Sequence, residues 1–285
     1  MIRKIRKQMT LSRVVLIVFL SCIAVFMLLP IIFLFNNAFK PLNELFLFPP
    51  TIFVQHPTMR NFEQLLLHTA AGVVPFSRYL FNSLLISGIT LVAVVLVSTM
   101  AGYVLSKHRF HFKRLIMALI MISLMFVPET VMIPRYLMMS GLKLTDTYFA
   151  HILPFIAAPV AVFLMKQFID QIPDALVESA KLDGATDMTV FTRIIIPLTA
   201  PAVATVCIIT FQAVFLDTET SMNYITNETM KTMAYYVTAF TSNVPGVAAV
   251  SISAAVGLLM FVPNLILFLL FQRKMIQTML HSGVK

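Results

Sequence analysis

The sequence contains no tryptophan, two cysteines and eight glycines, and only 12% of its 285 residues are Asp, Glu, Lys or Arg. A soluble domain carries about 25% charged residues, so this shortage argues against a soluble enzyme. Cys22 and Cys207 both fall in apolar runs, which excludes a secretory disulfide framework and a four-ligand metal site. No G-x-x-x-x-G-K-[ST] loop occurs, so nucleotide phosphates are not bound by that route. Eight glycines against 15 prolines, without a repeat, exclude a collagen-like chain. His108 and His111 stand three apart in a basic stretch with no further ligand near them, and read as solvated residues. With no catalytic constellation, the chain is expected to be a non-enzyme.

What is present is apolar. Hydrophobic residues make up 59% of the chain and the mean hydropathy is +0.90. Six apolar runs cover about 14–35, 80–105, 115–133, 148–168, 200–216 and 247–271. About 20 residues cross a bilayer core as a helix. Within lipid, only helices and closed barrels satisfy the backbone, and continuous runs of this length fit helices. The expected fold is an all-α integral membrane protein: one transmembrane domain over 1–285, six transmembrane helices, and a polar loop at 169–199. The basic N-terminus resembles a signal peptide, but its apolar run is too long and no small-x-small site follows, so it is expected to remain as the first span.

The net charge is +9, yet Lys and Arg are scattered between apolar runs and form no stripe suited to nucleic acid. They report orientation instead. With the N-terminus inside, five lie before the first span, four in the second-to-third loop, three in the fourth-to-fifth loop and three in the tail. Those fifteen face six in the outer loops, so both termini are expected to be cytoplasmic.

The loop at 169–199 is the most informative segment. Asp174 is expected to cap a short helix, Glu178 to reach Lys181, and Leu176 and Ala180 to share a face. Gly184 suits the left-handed residue that ends a helix, with Asp183 before it. Thr186 can cap a second helix with Met188, Phe191 and Ile195 on one stripe, closed by Pro197. An interfacial helix pair seated on headgroups is one reading. Asp174, Glu178, Asp183 and Asp187 would be repelled by anionic lipid, which favours a protein partner with a basic cleft.

The spacing here resembles the E-A-A-x3-G-x9-I-x-L-P signature of membrane-spanning subunits of ATP-binding-cassette (ABC) importers. It reads Glu178, Ser179, Ala180, Gly184, Ile194, Ile196 and Pro197, with five of seven positions identical and Ser179 and Ile196 conservative. At about 7% per position, five identities arise by chance on the order of once per million registers. Arg60-Asn61-Phe62, Asn82-Ser83, Ala101 to Ser106, Pro128-Glu129, Ile133 to Tyr136, Gly141-Leu142, Gln272-Arg273 and Gly283-Val284-Lys285 resemble the maltose-type carbohydrate permeases. The likeness weakens after Phe211, where the family usually shows Trp-Asn and this chain reads Phe215-Leu216-Asp217.

The resemblance implies a type I ABC importer permease in a bacterial cell membrane. It implies pairing with a second, homologous permease, often as a heterodimer, above two ATP-binding subunits that hydrolyse the ATP, so that no cofactor is bound directly. An extracytoplasmic solute-binding protein would deliver a carbohydrate, expected to be an oligosaccharide. The loop helix would dock in an ATPase cleft through Glu178, with Gly184 as its end turn. Within the spans, Glu129, Gln212 and Asn264 are candidates for a pathway or gate, and Pro263-Asn264 for a hinge. An ABC permease for another solute such as a sugar phosphate, and a stand-alone secondary transporter, are the alternatives; no matching interrupted halves support the latter.

Overall fold

Successive apolar stretches punctuated by proline give a chain with helices and no strand among the described residues. The computed structural model describes residues 11–45, 47, 51, 53–70, 74–243 and 248–282. The basic cluster Arg3 to Lys7, the start of the sixth run at Val247 and the closing Gly283-Val284-Lys285 lie outside the described residues. The chain divides into two compact units, Met1–His68 with Thr241–Leu259, and Thr69–Phe240 with Met260–Lys285.

In the first unit, α1 (Leu11–Phe39) runs through Pro30 and carries an apolar window of which nothing is buried. It is followed by α2 (Leu42–Leu45) and α3 (Arg60–Ala70). Asn61 donates its amide to the carbonyls of Ala38 and Lys40, at 2.8 and 2.9 Å. The Glu44 carboxylate accepts the backbone N–H groups of Gln55 and His56 at 3.1 and 2.7 Å. These bonds satisfy a carbonyl in the last turn of α1 and groups of the connection that no helix or strand pairs. The Arg60-Asn61-Phe62 resemblance thus has a structural basis in this turn: Phe62 also packs on Phe39, ring centroids 5.3 Å apart.

The second unit is organised on α4 (Phe76–Lys107). Its 32 residues give about 48 Å at 1.5 Å per residue, more than a hydrocarbon core needs. Then come α5 (Lys113–Ser123), a 3₁₀ turn (Pro128–Val131), α6 (Met132–Gly141), α7 (Tyr148–Ile156) and α8 (Pro159–Asp170). Next are α9 (Asp174–Leu182), α10 (Asp187–Val190), a π turn (Phe191–Ile195), α11 (Ile196–Leu198) and α12 (Ala200–Phe215). The unit also holds α13 (Glu219–Tyr224), a 3₁₀ turn (Glu228–Met230) and α14 (Met233–Asn243). The last helix, α15 (Ala248–Ser282), has residues 248–259 in the first unit and 260–282 in the second, and continues through Pro263 as one element.

Among the described residues, three helices are long and apolar enough to cross a membrane, and counting three bent pairs as one span each brings the total to six. The expected third, fourth and fifth spans are therefore not straight. Lys113–Ser123 meets Pro128–Gly141 at 109°, Tyr148–Ile156 meets Pro159–Asp170 at 42°, and Asp187–Leu198 meets Ala200–Phe215 at 75°. Proline explains where they break, since it cannot donate its N–H and crowds the preceding turn: Pro128, Pro159 and Pro201 each open the second limb.

Packing around α4 is close. A Cβ on Gly102 would stand 3.0 Å from the Lys166 backbone nitrogen and from Met165 Cβ, so the absence of a side chain lets α8 approach. Val94, Ala161, Met165, Ala202 and Val206 form one buried cluster there, and Ile86, Ile152 and Val214 another.

Candidate functional site

Two polar assemblies sit at opposite ends of α4. At its Lys107 end lies the loop that carries the seven-position signature.

In that loop α9 begins at Asp174 itself, with Pro173 as a cap that makes no side-chain bond. The expected capping by Asp174 is thus corrected. Its carboxylate is drawn away by the Lys107 ammonium, 2.6 Å off, which also donates to the Ile172 carbonyl at 2.5 Å. The Lys107 hydrogen bond and charge hold the Asp174 carboxyl below the usual carboxylate range. The inward face is also corrected. Val177 is buried and Ala180 packs beside it against Tyr103, Ile169, Ile172, Val190, Phe191 and Ile195, while Leu176 points outward.

The end of α9 is closed by a Schellman motif, the Gly184 N–H donating to Lys181 O at 3.0 Å and the Ala185 N–H to Ala180 O at 2.9 Å. This geometry requires a left-handed residue, and Gly184 has φ +83°. Beyond it, Thr186 caps α10 by accepting the Thr189 N–H at 3.3 Å. Both of these readings agree with the sequence. The expected Glu178–Lys181 pair does not form, because Lys181 reaches over the turn to Asp187 at 2.8 Å. That hydrogen bond raises the Lys181 pKa.

The surface left outward is mixed. Glu178 and Asp183 are exposed, and neither makes an ion pair among the described residues. Leu182 is 88% exposed and Met188 62%, so Met188 leaves the stripe that Phe191 and Ile195 bury. Ser179 returns its hydroxyl to Ala175 O at 2.5 Å. Ile194 packs partly against the buried cluster, and Pro197 lies in α11 just before the 75° bend.

At the Phe76 end, the segment after α12 is strapped down. The Asn82 amide donates to the Thr229 and Lys231 carbonyls at 2.9 Å each, and Ser83 Oγ accepts the Met233 N–H at 2.8 Å. That explains the Asn82-Ser83 resemblance. His151 bonds Thr220 Oγ1 at 2.7 Å and Met230 O at 3.2 Å. Arg135 pairs with Glu219 at 3.1 Å. Asp146 sits in the left-handed region at φ +58° and accepts the Thr226 and Asn227 N–H groups at 2.6 and 3.1 Å. The Thr226 hydroxyl, which donates to the other carboxylate oxygen at 2.7 Å, and then these N–H groups lower the Asp146 pKa. The segment Glu219–Met230 is thus fastened as a cap.

The three pathway candidates are not brought together by any shared contact. Glu129 is exposed in the turn Pro128–Val131, Gln212 is exposed on α12, and Asn264 donates to Met260 O at 3.0 Å within α15. No group of three or more His, Cys, Asp or Glu suited to a metal occurs among the described residues. Sequence reasoning gives Lys107 and Asp146 no role in a site, and reads Asp187 only as one of the acids of the loop. Lys107 and Asp146 act on partners 67 and 80 residues away, and Asp187 on Tyr103, 84 away, a range over which spacing carries no signal.

Residues 95–276 match the family described as "binding-protein-dependent transport system inner membrane component". The chain is 30% identical over 278 residues to the arabinooligosaccharides transport system permease protein AraQ of Bacillus subtilis, covering 98% of each chain. It is 28% identical to the trehalose transport system permease protein SugB of Mycobacterium tuberculosis, covering 90% of this chain and 92% of that one. In fold it resembles a chain of a bacterial ABC transporter involved in the import of the acidic polysaccharide alginate. The TM-score is 0.75 at 21% identity, over 93% of this chain and 98% of that one.

Proposed function

The chain belongs to the family of binding-protein-dependent transport system inner membrane components, and we propose that within it the chain is the permease of an importer for an oligosaccharide. As a multi-pass membrane subunit of this family it supplies the passage. The sugar class is supported by full-length likeness to a permease named for arabinooligosaccharides and by a second named for trehalose. Two ATP-binding subunits, a second permease and an extracytoplasmic binding protein complete the transporter, and the termini and the 169–199 loop face the cytoplasm. ATP is bound and hydrolysed by the partner subunits.

The observation that carries the reading is the form of the loop. Val177 and Ala180 anchor α9 to the spans, Gly184 ends it, and Glu178, Asp183, Leu182 and Met188 are left on its outer side. Exposed carboxylates beside exposed apolar side chains suit a cleft that is basic and greasy, as a motor subunit would offer. A rigid helix held in such a cleft converts closure of the motor into a rigid-body switch of the spans between inward- and outward-facing states.

Co-purification tests this. The chain should draw down its ATP-binding subunits from membranes, and Glu178→Lys should reduce that recovery by about tenfold, the size of a typical interface charge effect. Full recovery with Glu178→Lys contradicts docking through this face.

A further inference from the structure

The short connectors on either side of α9, residues 171–173 and 183–186, would let an isolated helix swing. Neither is left free. Before α9, Lys107 Nζ clasps Ile172 O and Asp174 at 2.5 and 2.6 Å. The Lys107 side chain is only 6% exposed, although Asp174 is 75% exposed. Burying an ammonium is costly unless its donors are met, so this lysine is committed to the contact in a way a surface pair is not. Ser106 donates to Asp170 at 2.7 Å, on the last residue of α8 just before that connector.

After α9, Asp187 gathers three groups. Lys181 comes from α9 at 2.8 Å, His108 lies 3.9 Å away, and the Tyr103 hydroxyl donates at 3.5 Å. Tyr103 lies in the last turns of α4 with Lys107, His108 is the residue that caps them, and the two rings meet edge to face with centroids 5.2 Å apart. Between the two ties, the Tyr103 ring packs in the buried cluster with Val177.

We infer that Lys107 and Asp187 are positioning residues that fasten the 174–182 helix, at both ends, to the last turn of α4. Motion delivered to that helix is then passed directly to the second span, which is separated from the loop in sequence by two other spans. The inference rests on the coupling role proposed above.

The test uses the complete transporter in proteoliposomes, comparing wild type, Lys107→Met and Lys107→Arg for solute carried per ATP hydrolysed. Lys107→Met should still bind its ATPases and hydrolyse ATP, yet carry about tenfold less solute per ATP, within the span of ordinary coupling energies. Lys107→Arg, which keeps the charge and the donors, should recover most of the ratio. A purely structural lysine would change the yield of complex and leave the ratio alone. An unchanged ratio in Lys107→Met overturns the inference, while a wild-type complex that does not couple ATP to uptake overturns the coupling role itself.

A second measurement keeps Lys107 in place. Spin labels at Arg109→Cys and Ala175→Cys, with Cys22 and Cys207 replaced by serine, report the separation of the α4 end from the helix. It should agree within about 2 Å with and without trapped ATP. A change of more than about 5 Å, one helical turn, shows the helix moving on its own and overturns the inference.

Discussion

Lys181 and Asp187 stand on opposite sides of Gly184 and join across it at 2.8 Å, so the turn between the two loop helices is closed by its backbone and clasped by its side chains.

Substitution at Gly184 separates those two contributions. An added Cβ there meets nothing within 4 Å, so bulk does not exclude it. The φ of +83° is what resists, at about 1–2 kcal/mol for an ordinary L residue. Gly184→Asn should keep most uptake, Gly184→Asp should keep less, and Gly184→Val should fall by tenfold or so in ATP-driven uptake. Equal uptake by all three would show that the left-handed turn does not matter.

Acid should leave the loop intact over the physiological range. Asp174 has a lowered pKa, so its contribution is present above the ordinary carboxylate value of about 4 and is lost only as pH falls through the lowered one. Lys181 has a raised pKa, so its contribution is present below about 10.4 and lost as pH rises through the raised value. Solute carried per ATP should therefore be flat between about pH 5 and 9 as far as these two ties decide it. A step in that ratio inside the window that disappears in Asp174→Asn would contradict the assignment.

Gly102 tests packing in the same region. Gly102→Ala places a methyl 3.0 Å from the backbone nitrogen of Lys166, which cannot step aside as a side-chain tip could. Overpacking of this kind costs about 1–3 kcal/mol, so the melting temperature of the purified chain in detergent should drop by several degrees. No drop would mean that α4 and α8 separate freely.

At the other end of α4, Asp146 holds the cap. Asp146→Ala removes acceptors for the Thr226 and Asn227 N–H groups and strains φ +58°, whereas Asp146→Gly removes only the acceptors. Net hydrogen bonds to a charged group are worth about 1.5–3 kcal/mol each. Proteolysis within 217–231 should speed up in both variants, more so in the alanine. Unchanged cleavage would show that the cap is held without Asp146.

Much of this architecture can be read along the chain because its causes are local. Apolar run length marks α1, α4 and α15, and the Gly184 and Thr186 signals depend on residues three or four positions away. The bends were less legible. Pro128 and Pro201 mark places where a helix can break, but a proline alone does not specify a bend of 109° or 75°. The misread pairs have one cause. Glu178 and Lys181 have helical spacing, yet Asp187 competes successfully for the lysine across a turn, and Lys107 competes for Asp174 from another span. Such partners are visible only once the spans are side by side.

The most direct measurement is uptake of a labelled oligosaccharide into proteoliposomes, with this chain alone or together with its partner permease, both ATP-binding subunits and the binding protein. The expected result is ATP-dependent uptake in the complete assembly and none by the chain alone under a proton or sodium gradient. Gradient-driven uptake by the isolated chain would contradict the account.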